Sequence, residues 1–347
     1  MSISRRRFVL SCASCAAAGW LARIPLAAAD ETRAAGWPSR VVQLPQGEDE
    51  LKPPVVTAVR LHKDGQLLAT AGDDHLVRVW NLAEGKLVQK LSGHADWVRT
   101  LDYSPDGRVL ATAGNDRKVI FWDAASGSQL ESFAEHPAAI AAVRFSHDGR
   151  LLAAAGFEGL VRIYDVAARR LVAQPAAPCN DMRSLAFSPD DGLLAAGGRC
   201  GTLRLLAMPR GEVDRDIRAH RLRIRTIAFS PDGAYVASSG EDRLIHVTPL
   251  ADAAGGYSLP PRPAKVLSLV FYGPRQLAAA GSDNLIRLWD VAARGEIGHL
   301  RGHTGSVAAL GCQGKVLVSA GYDTTVRIWE VGDQIAEASP PGSGTLR

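Results

Sequence analysis

One motif recurs seven times along this chain at a period of about 42 residues. Each copy has an apolar alternating run, a turn of the Ser-Pro-Asp-Gly kind, and a small-residue strand ending in Ala-Gly or Ser-Gly. A two-residue turn with an acidic second member follows, and then a strand that closes in Trp-Asp or a substitute. A fixed period of this length predicts a repeat architecture in which each copy is one supersecondary unit.

The first turn of five copies carries a glycine at nearly constant spacing. These glycines lie 42, 42, 43 and 41 residues apart: Gly65, Gly107, Gly149, Gly192 and Gly233. The last two copies are centred on Pro274 and Gly314. Most segments alternate with period two, as Val98 to Tyr103 does, and few have helical spacing. The pattern therefore predicts an all-β fold.

Each copy reads as four antiparallel strands, which we call strands a to d. In the second copy we expect these strands at about Trp97–Tyr103, Arg108–Ala113, Lys118–Asp123 and Gln129–Phe133. A four-stranded unit cannot bury its faces alone, whereas radial stacking buries both faces against neighbours and leaves few edges exposed. The sequence therefore predicts a seven-bladed β-propeller.

The ends of strand c carry a resemblance to a known family. They are Trp80-Asn81, Trp122-Asp123, Tyr164-Asp165, Trp289-Asp290 and Trp329-Glu330, with Leu206 and Thr248 at the Trp position elsewhere. Gly93-His94 and Gly302-His303 precede strand a in two copies. Over about residues 40 to 331 the chain resembles the WD-repeat (Trp-Asp) β-propeller family.

Ring closure is expected from the two ends of the repeat array. The seventh copy stops after strand c, at Val331, and an apolar run from Arg40 to Leu44 precedes the first copy. As is common in this family, we expect that run to pair as strand d of the last blade.

The N-terminal segment has the pattern of an export signal. Ser4 to Leu10 resembles the twin-arginine motif, although the lysine at its last position is missing, and Ala27-Ala28-Ala29 forms a signal-peptidase site. The alternative is an uncleaved membrane anchor, but Gly19, Arg23 and Pro25 interrupt the apolar stretch. We expect cleavage, export to the periplasm and no transmembrane span in the mature chain.

Four regions follow from these patterns. We predict a twin-arginine signal peptide over residues 1–29, a linker over 30–39, a propeller over 40–335 and a tail over 336–347. The Pro- and Gly-rich composition of the tail predicts disorder.

The basic balance of the chain comes from its leader. The whole chain has 40 Lys and Arg against 36 Asp and Glu. Residues 1–29 hold four arginines and no acid, so the mature chain has 36 of each sign. A near-neutral chain does not support nucleic-acid binding.

The family resemblance implies a buried hydrogen-bonded set of four side chains in each regular blade. Its members are His before strand a, Ser or Thr on strand b, Asp in the b–c turn and Trp on strand c, and the set stabilises only when every member is satisfied. Two sets are complete: His94, Thr112, Asp116 and Trp122 in blade 2, and His303, Ser319, Asp323 and Trp329 in blade 7. A Ser-His-Asp triad is the catalytic interpretation. Because a triad occurs once, whereas this set recurs at one register, we interpret the residues as structural and predict no catalytic residue.

Cysteines mark blade 4 as irregular. Cys200 occupies the register of the set's Asp, and Cys179 lies one residue from the register of its His. A Cys179–Cys200 disulfide is one hypothesis, and two unpaired thiols are the alternative. We predict no metal site, because two thiols without a third ligand do not bind zinc. No Cys-x-x-Cys-His follows the leader, so covalent haem is excluded, and we predict no cofactor.

The resemblance also implies a binding face. In this family the residue before the set's Asp lies near the mouth of the central channel. Those residues are Asp73, Asn115, Phe157, Arg199, Glu241, Ser282 and Tyr322, and we expect Trp97 to join them. The alternative is that they are ordinary solvated loop residues. An arginine-rich stretch from Arg204 to Arg225 could bind an anionic protein or lipid headgroups, and the alternative is that it forms the solvated outer edge of a blade.

These observations favour a non-enzymatic scaffold or adaptor that is exported, monomeric and specific for an unidentified protein partner. The alternative is a periplasmic propeller that carries a cofactor or performs redox or hydrolytic chemistry in its channel.

Overall fold

A computed structural model describes residues 39–43, 55–133 and 136–331. The predicted signal peptide and tail, and nearly all of the predicted linker, lie outside these residues. The described residues form seven four-stranded antiparallel sheets and one short 3-10 turn, Ala253–Gly255. The predicted seven-bladed all-β propeller is therefore confirmed.

The strands follow in chain order. The first is β1 (Ser39–Gln43). Blades 1 to 3 contain β2 (Val56–Leu61), β3 (Leu67–Gly72), β4 (Val77–Asn81), β5 (Lys86–Leu91), β6 (Val98–Tyr103), β7 (Val109–Gly114), β8 (Val119–Asp123), β9 (Gln129–Phe133), β10 (Ile140–Phe145), β11 (Leu151–Gly156), β12 (Val161–Asp165) and β13 (Arg170–Ala173). Blades 4 and 5 contain β14 (Met182–Phe187), β15 (Leu193–Gly198), β16 (Thr202–Ala207), β17 (Glu212–Arg218), β18 (Ile224–Phe229), β19 (Tyr235–Gly240), β20 (Ile245–Pro249) and β21 (Tyr257–Ser258). Blades 6 and 7 contain β22 (Val266–Phe271), β23 (Gln276–Gly281), β24 (Ile286–Asp290), β25 (Gly295–Leu300), β26 (Val307–Gln313), β27 (Val316–Gly321) and β28 (Thr325–Glu330).

Burial falls from the inner strands of a blade to its outer edge. Strand b is built from small residues and is buried after its first residue, as in β3 and β7. Small side chains let neighbouring blades approach it from both faces. Strand d is largely exposed, as in β5, because it forms the outer edge of the sheet, where charge discourages edge pairing.

The core lies between adjacent blades. Leu101, Leu110 and Trp122 of blade 2 pack against Ala69 and Val77 of blade 1 in one continuous cluster. Burying each such leucine stabilises the fold by roughly 1.5–3 kcal/mol. The other six blade interfaces have equivalent clusters, so among the described residues each blade packs apolar side chains against both of its neighbours.

The ring closes through blade 7. Each strand a contacts the strand a of the next blade, and β26 contacts β2. β1 pairs antiparallel with β28, with Ser39 opposite Trp329 and Gln43 opposite Thr325. The predicted closing strand is thus confirmed and begins one residue before Arg40. The Arg40 guanidinium also donates to the carbonyls of Leu82 and Ala83, which ties the closing strand to blade 1.

A β-bulge follows the first residue of every strand a. The pairing between strands a and b shifts there in all seven blades. The second residue of strand a is therefore the extra one, and a bulge re-aims the side chain of the strand that carries it. We call the end of the channel at which strands a begin and the b–c turns lie the mouth end.

The uneven glycine spacing has a local cause in blade 4. Gly65, Gly107, Gly149 and Gly233 have positive φ, but at the matching position of blade 4 it is Asp191 that does, with φ 57°. The glycine predicted for this turn is displaced to position 192. The Asp191 carboxylate accepts hydrogen bonds from the backbone N–H groups of His147 and Asp148 in blade 3, at 2.7 and 2.8 Å. These bonds offset the cost of a left-handed conformation at a non-glycine residue.

Candidate functional site at the channel mouth

Blade 2 holds one complete polar set. Thr112 Oγ1 accepts from Trp122 Nε1 at 2.8 Å and lies 2.7 Å from His94 Nε2. His94 Nδ1 lies 2.8 Å from Asp116 Oδ2. The Thr112 side chain is fully buried. A substrate cannot reach this hydroxyl, which already bonds to an indole and an imidazole.

Blade 7 repeats the arrangement. Ser319 Oγ accepts from Trp329 Nε1 at 2.9 Å and lies 2.7 Å from His303 Nε2, whereas His303 Nδ1 lies 2.9 Å from Asp323 Oδ2. Burial lowers the pKa of His303, although Asp323 opposes this effect. Burial raises the pKa of Asp323, but hydrogen bonds from the Thr304 backbone and His303 lower it overall. The imidazole therefore bridges Ser319 and Asp323 through its two ring nitrogens.

Blade 3 builds the set from different residues. Ala154 replaces the hydroxyl of strand b and Tyr164 stands at the Trp register. The Tyr164 hydroxyl lies 2.7 Å from His136 Nε2, and His136 Nδ1 lies 3.0 Å from Glu158 Oε1. Tyrosine thus supplies the ring and the hydroxyl from one side chain. The sequence carried the signal, because the loss of the hydroxyl at 154 and its gain at 164 occur in the same blade.

Arg262 takes the histidine's place in blade 6. Like His94, it lies four residues before strand a. Its guanidinium is 4.0 Å from the ring centre of Trp289 and its Nη2 is 3.6 Å from Glu296 Oε2. Burial and the charge of Arg287 lower the pKa of Arg262 to about 10. A cation–π contact here replaces the imidazole–hydroxyl–indole chain, and family-pattern matching missed it because the pattern looks only for histidine.

Blades 1 and 5 keep partial sets. In blade 1, Trp80 Nε1 donates to Thr70 Oγ1 at 2.9 Å, and the residue at the histidine register lies outside the described chain. In blade 5, His220 Nε2 lies 2.9 Å from Ser238 Oγ. Thr248 stands at the Trp register, where its buried hydroxyl has no hydrogen-bond partner among the described residues. Sets of this kind in blades 1, 2, 3, 5 and 7 recur at one register, which argues for a structural role.

Cys179 and Cys200 are free thiols in the structure, which corresponds to the second of the two alternatives and not to the disulfide. The two residues are adjacent, because the Cys200 backbone N–H donates to Cys179 Sγ at 3.3 Å. The Cys179 sulfur therefore accepts from the main chain of the b–c turn. Burial is the largest cause of a raised pKa for the Cys179 thiol. Cys312, in β26, is half-buried, and burial raises the pKa of its thiol to about 11.

The arginine-rich stretch separates into two groups. On the outer strands of blade 4, Arg204 Nη2 pairs with Asp216 Oδ2 at 2.7 Å, and Arg215 Nε pairs with Asp214 Oδ2 at 2.8 Å. This part is a charged blade edge. Arg223 lies before strand a of blade 5, and Arg225 within it, so both belong to the mouth end.

The predicted binding residues lie together at the mouth end. In blades 2 to 7 the backbone N–H of each one donates to the carbonyl of the residue before strand a, at 2.8–3.0 Å. Trp97, whose carbonyl accepts one of these bonds, is 45% exposed, and Tyr322 is 55% exposed. Arg199 and Ser282 are also exposed.

Four of the predicted residues are engaged by other side chains or backbone. Asp73 Oδ1 accepts from the Val55 backbone at 2.9 Å, and Asn115 Oδ1 accepts from Arg99. Phe157 lies beside the guanidinium groups of two arginines, and Glu241 forms ion pairs with two others. The mouth end therefore presents exposed aromatic and polar groups together with partly buried side chains that already have partners.

Comparison with known proteins supports the same assignment. The family model described as WD domain, G-beta repeat matches seven segments: residues 49–81, 85–123, 127–165, 173–205, 211–248, 257–290 and 295–330. Together these segments cover well over half of the chain. The chain belongs to the WD-repeat family.

The similar proteins share only short segments with this WD-repeat chain. "Mitochondrial division protein 1" of Mycosarcoma maydis is 38% identical over 88 residues, which is 24% of this chain and 11% of that protein. The Schizosaccharomyces pombe protein of that name is 32% identical over 82 residues, or 23% of this chain and 13% of its own. "Sterol regulatory element-binding protein cleavage-activating protein" of Xenopus laevis is 28% identical over 90 residues, or 26% of this chain and 7% of that protein. The matches span about a tenth of these relatives.

Two further observations bear on this WD-repeat propeller. Within residues 39–43, 55–133 and 136–331, no group of three or more His, Cys, Asp or Glu side chains is arranged to hold a metal ion. In the same part of the chain, no helix is long and apolar enough to cross a membrane.

Proposed function

We propose that this protein is a non-enzymatic scaffold that binds a protein partner at the mouth end of the propeller. The observation that carries the proposal is a contrast in exposure. The His–Ser/Thr–Asp sets are buried and bonded to one another, whereas aromatic residues are exposed at the channel mouth. Trp97 and Tyr322 are large and exposed there, and exposed aromatic side chains are typical anchors of protein interfaces. We further propose that the protein is exported by the twin-arginine route and acts as a monomer.

Crosslinking capture from the periplasm of an expressing bacterium tests the scaffold proposal. The wild type should capture a discrete protein, and a Trp97→Ala, Phe157→Ala, Tyr322→Ala variant should lose it. Val88 and Val213 are each 52% exposed on outer strands, so Val88→Ala, Val213→Ala is the matched control and should retain the partner. Equal capture by both variants would contradict the placement of the interface.

The competing interpretation, a channel that carries a cofactor, has its own test. Protein purified from the periplasm should be colourless in its visible absorption spectrum and free of stoichiometric metal. A coloured or metal-loaded product would replace the scaffold proposal with the catalytic one.

Export is tested through the arginine pair of the leader. Arg5→Lys, Arg6→Lys should abolish processing and leave the chain in the cytoplasm, because the motif requires the guanidinium pair. Arg33→Lys, beyond the cleavage site, serves as the control and should be processed like the wild type. Unchanged processing of the double variant would refute the twin-arginine route.

A further inference from the structure

Three arginines share one structural position at the mouth end. Arg99, Arg183 and Arg225 are the second residues of strand a in blades 2, 4 and 5, where the β-bulge lies. The bulge leaves this residue without a partner of its own on strand b. The three side chains therefore project from the same position of strand a in their respective blades. Blades 6, 7 and 1 have the uncharged Leu267, Ala308 and Thr57 at this position.

Phe157 connects the first two of these arginines. The Arg99 and Arg183 guanidinium carbons lie 5.7 and 4.4 Å from the ring centre of Phe157. Arg183 Nε also lies 2.7 Å from Asp181 Oδ1. Burial and then the charge of Arg183 lower the pKa of Arg99, so the two cations are close enough to repel each other.

Two carboxylates extend the cluster to blade 5. Asp181 Oδ2 lies 3.0 Å from Arg223 Nη2. Glu241 Oε1 lies 3.2 Å from Arg223 Nη1 and 2.6 Å from Arg225 Nη2. These contacts form one continuous group across blades 2 to 5, which we call the mouth cluster: Arg99, Phe157, Asp181, Arg183, Arg223, Glu241 and Arg225.

The mouth cluster has an excess of positive charge. Four guanidinium groups face Asp181 and Glu241, and the charge of Asp96 also acts on Arg99. The cations still outnumber these three carboxylates, and the exposed Arg199 adds a fifth cation in the neighbouring turn of blade 4. Farther along strand a, Arg60 pairs with Asp102 at 3.0 Å, and burial together with the charge of Arg60 lowers the pKa of Arg144 to about 9. Concentrated like charges in a half-buried site favour binding of an anion.

We infer that the mouth cluster recognises an acidic peptide segment of the protein partner, an inference that rests on the proposed scaffold function. Its arginines are spread over three blades, so a ligand that meets all of them carries several carboxylates along an extended chain. Guanidinium groups bind carboxylates through paired N–H donors. Trp97, exposed two residues before Arg99, adds an aromatic anchor beside the cationic half of the mouth.

Binding of fluorescein-labelled hexaglutamate to the purified protein tests this inference. Fluorescence anisotropy should show binding that weakens as salt rises from about 50 mM to about 200 mM, because screening reduces attraction between partly exposed charges. Labelled hexalysine should not bind. Binding of hexalysine, or no binding of hexaglutamate, would overturn the inference.

Two variants that lose equal charge locate the site. The double variant Arg183→Gln, Arg225→Gln leaves Asp181 and Glu241 paired with Arg223, so we expect it to fold. Its affinity for hexaglutamate should fall about tenfold or more. Arg210→Gln, Arg215→Gln removes two cations from the outer edge of blade 4 and should change affinity by less than about twofold. Equal losses in the two variants would show that net charge, and not the cluster, drives binding. If the first variant does not fold, Arg99→Gln is measured instead and should also weaken binding.

Two comparisons separate this inference from its alternatives. Inorganic phosphate at constant ionic strength should not displace hexaglutamate, and full displacement would indicate a site for small anions in place of a peptide. In the capture experiment, a partner that Arg183→Gln, Arg225→Gln retains but the aromatic variant loses would refute the acidic chemistry and leave the scaffold proposal intact. Hexaglutamate binding without any captured partner would support the acidic site and contradict the scaffold proposal.

Discussion

At the scale of single residues, a buried hydroxyl is the centre of each complete polar set. Ser319 Oγ bonds at once to the Trp329 indole and the His303 imidazole. In the unfolded chain each group bonds to water, so each of these hydrogen bonds adds little to the free energy of folding. Removing one partner costs more, because it leaves a buried polar group with an unmade hydrogen bond. The sets therefore make blades intolerant of single changes.

Replacing His303 with alanine should destabilise the protein. The change removes one hydrogen-bond partner from Ser319 and one from Asp323 and opens a cavity, which together cost about 3 kcal/mol. Urea or thermal unfolding should show a clear loss of stability. His299→Ala, at a partly exposed histidine of blade 6, is the control. A His303 variant as stable as this control would refute the structural role.

The same histidine predicts a pH dependence. Because burial lowers the pKa of His303 in the folded state, the unfolded chain takes up the proton first as pH falls. This part of the stability is present above about pH 6.5 and is lost as pH falls through the unfolded value toward the folded one. The pKa of His246 is also lowered, chiefly by burial, so His303→Gln should reduce, not abolish, the pH slope of the unfolding free energy. An unchanged slope would contradict the assignment.

At the scale of elements, hydroxyls on strand a join neighbouring blades. Thr100 accepts from the Val143 backbone, Ser184 from Ile227 and Ser268 from Leu310, at 3.0–3.2 Å. These hydroxyls recur every 84 residues, in blades 2, 4 and 6. Hydrogen bonds as well as apolar packing therefore hold neighbouring blades together.

Replacing Ser184 with alanine should destabilise the interface between blades 4 and 5. The Ile227 N–H would lose its buried acceptor, at a cost of about 1–2 kcal/mol. Thr226→Ala is the matched control at the same register of blade 5, because among the described contacts no backbone group donates to its hydroxyl. Chemical denaturation of both variants gives the comparison, and equal losses would mean that the hydrogen bond contributes nothing.

Patterns along the chain predicted the blades well and their exceptions poorly. The 42-residue period identified seven blades and placed strands a to d of blade 2 within one residue of the observed bounds. It missed the Arg262 substitution and the placement of Arg99 and Arg183 in the mouth cluster, although the arginine-rich stretch already contained Arg223 and Arg225. Those features depend on which side chains meet across blades, whereas a periodic pattern reports only the register of each residue within its own blade.

At the scale of the whole molecule, one strand closes the ring. Deleting residues 1–44 should expose the edge of β28 and remove the Arg40 contacts to blade 1. We expect a lower unfolding temperature and concentration-dependent association, because an unpaired strand edge can pair with another chain. Deleting residues 1–38 keeps β1 and is the control. Light scattering and thermal unfolding compare the two, and identical behaviour would show that closure is dispensable.

The direction of β1 gives the propeller a fixed polarity as an attachment unit. Gln43 pairs beside the b–c turn of blade 7, whereas Ser39 pairs with Trp329 at the far end. The described chain thus enters at the end opposite the mouth, and Val331 leaves from that same end, bonded to Lys315 of the a–b turn. A sensor chip, a fused domain or a lipid anchor joined before Ser39 or after Val331 would therefore attach to the propeller at the end opposite the mouth. Trp97 and the arginines of the mouth cluster would then face away from the attachment.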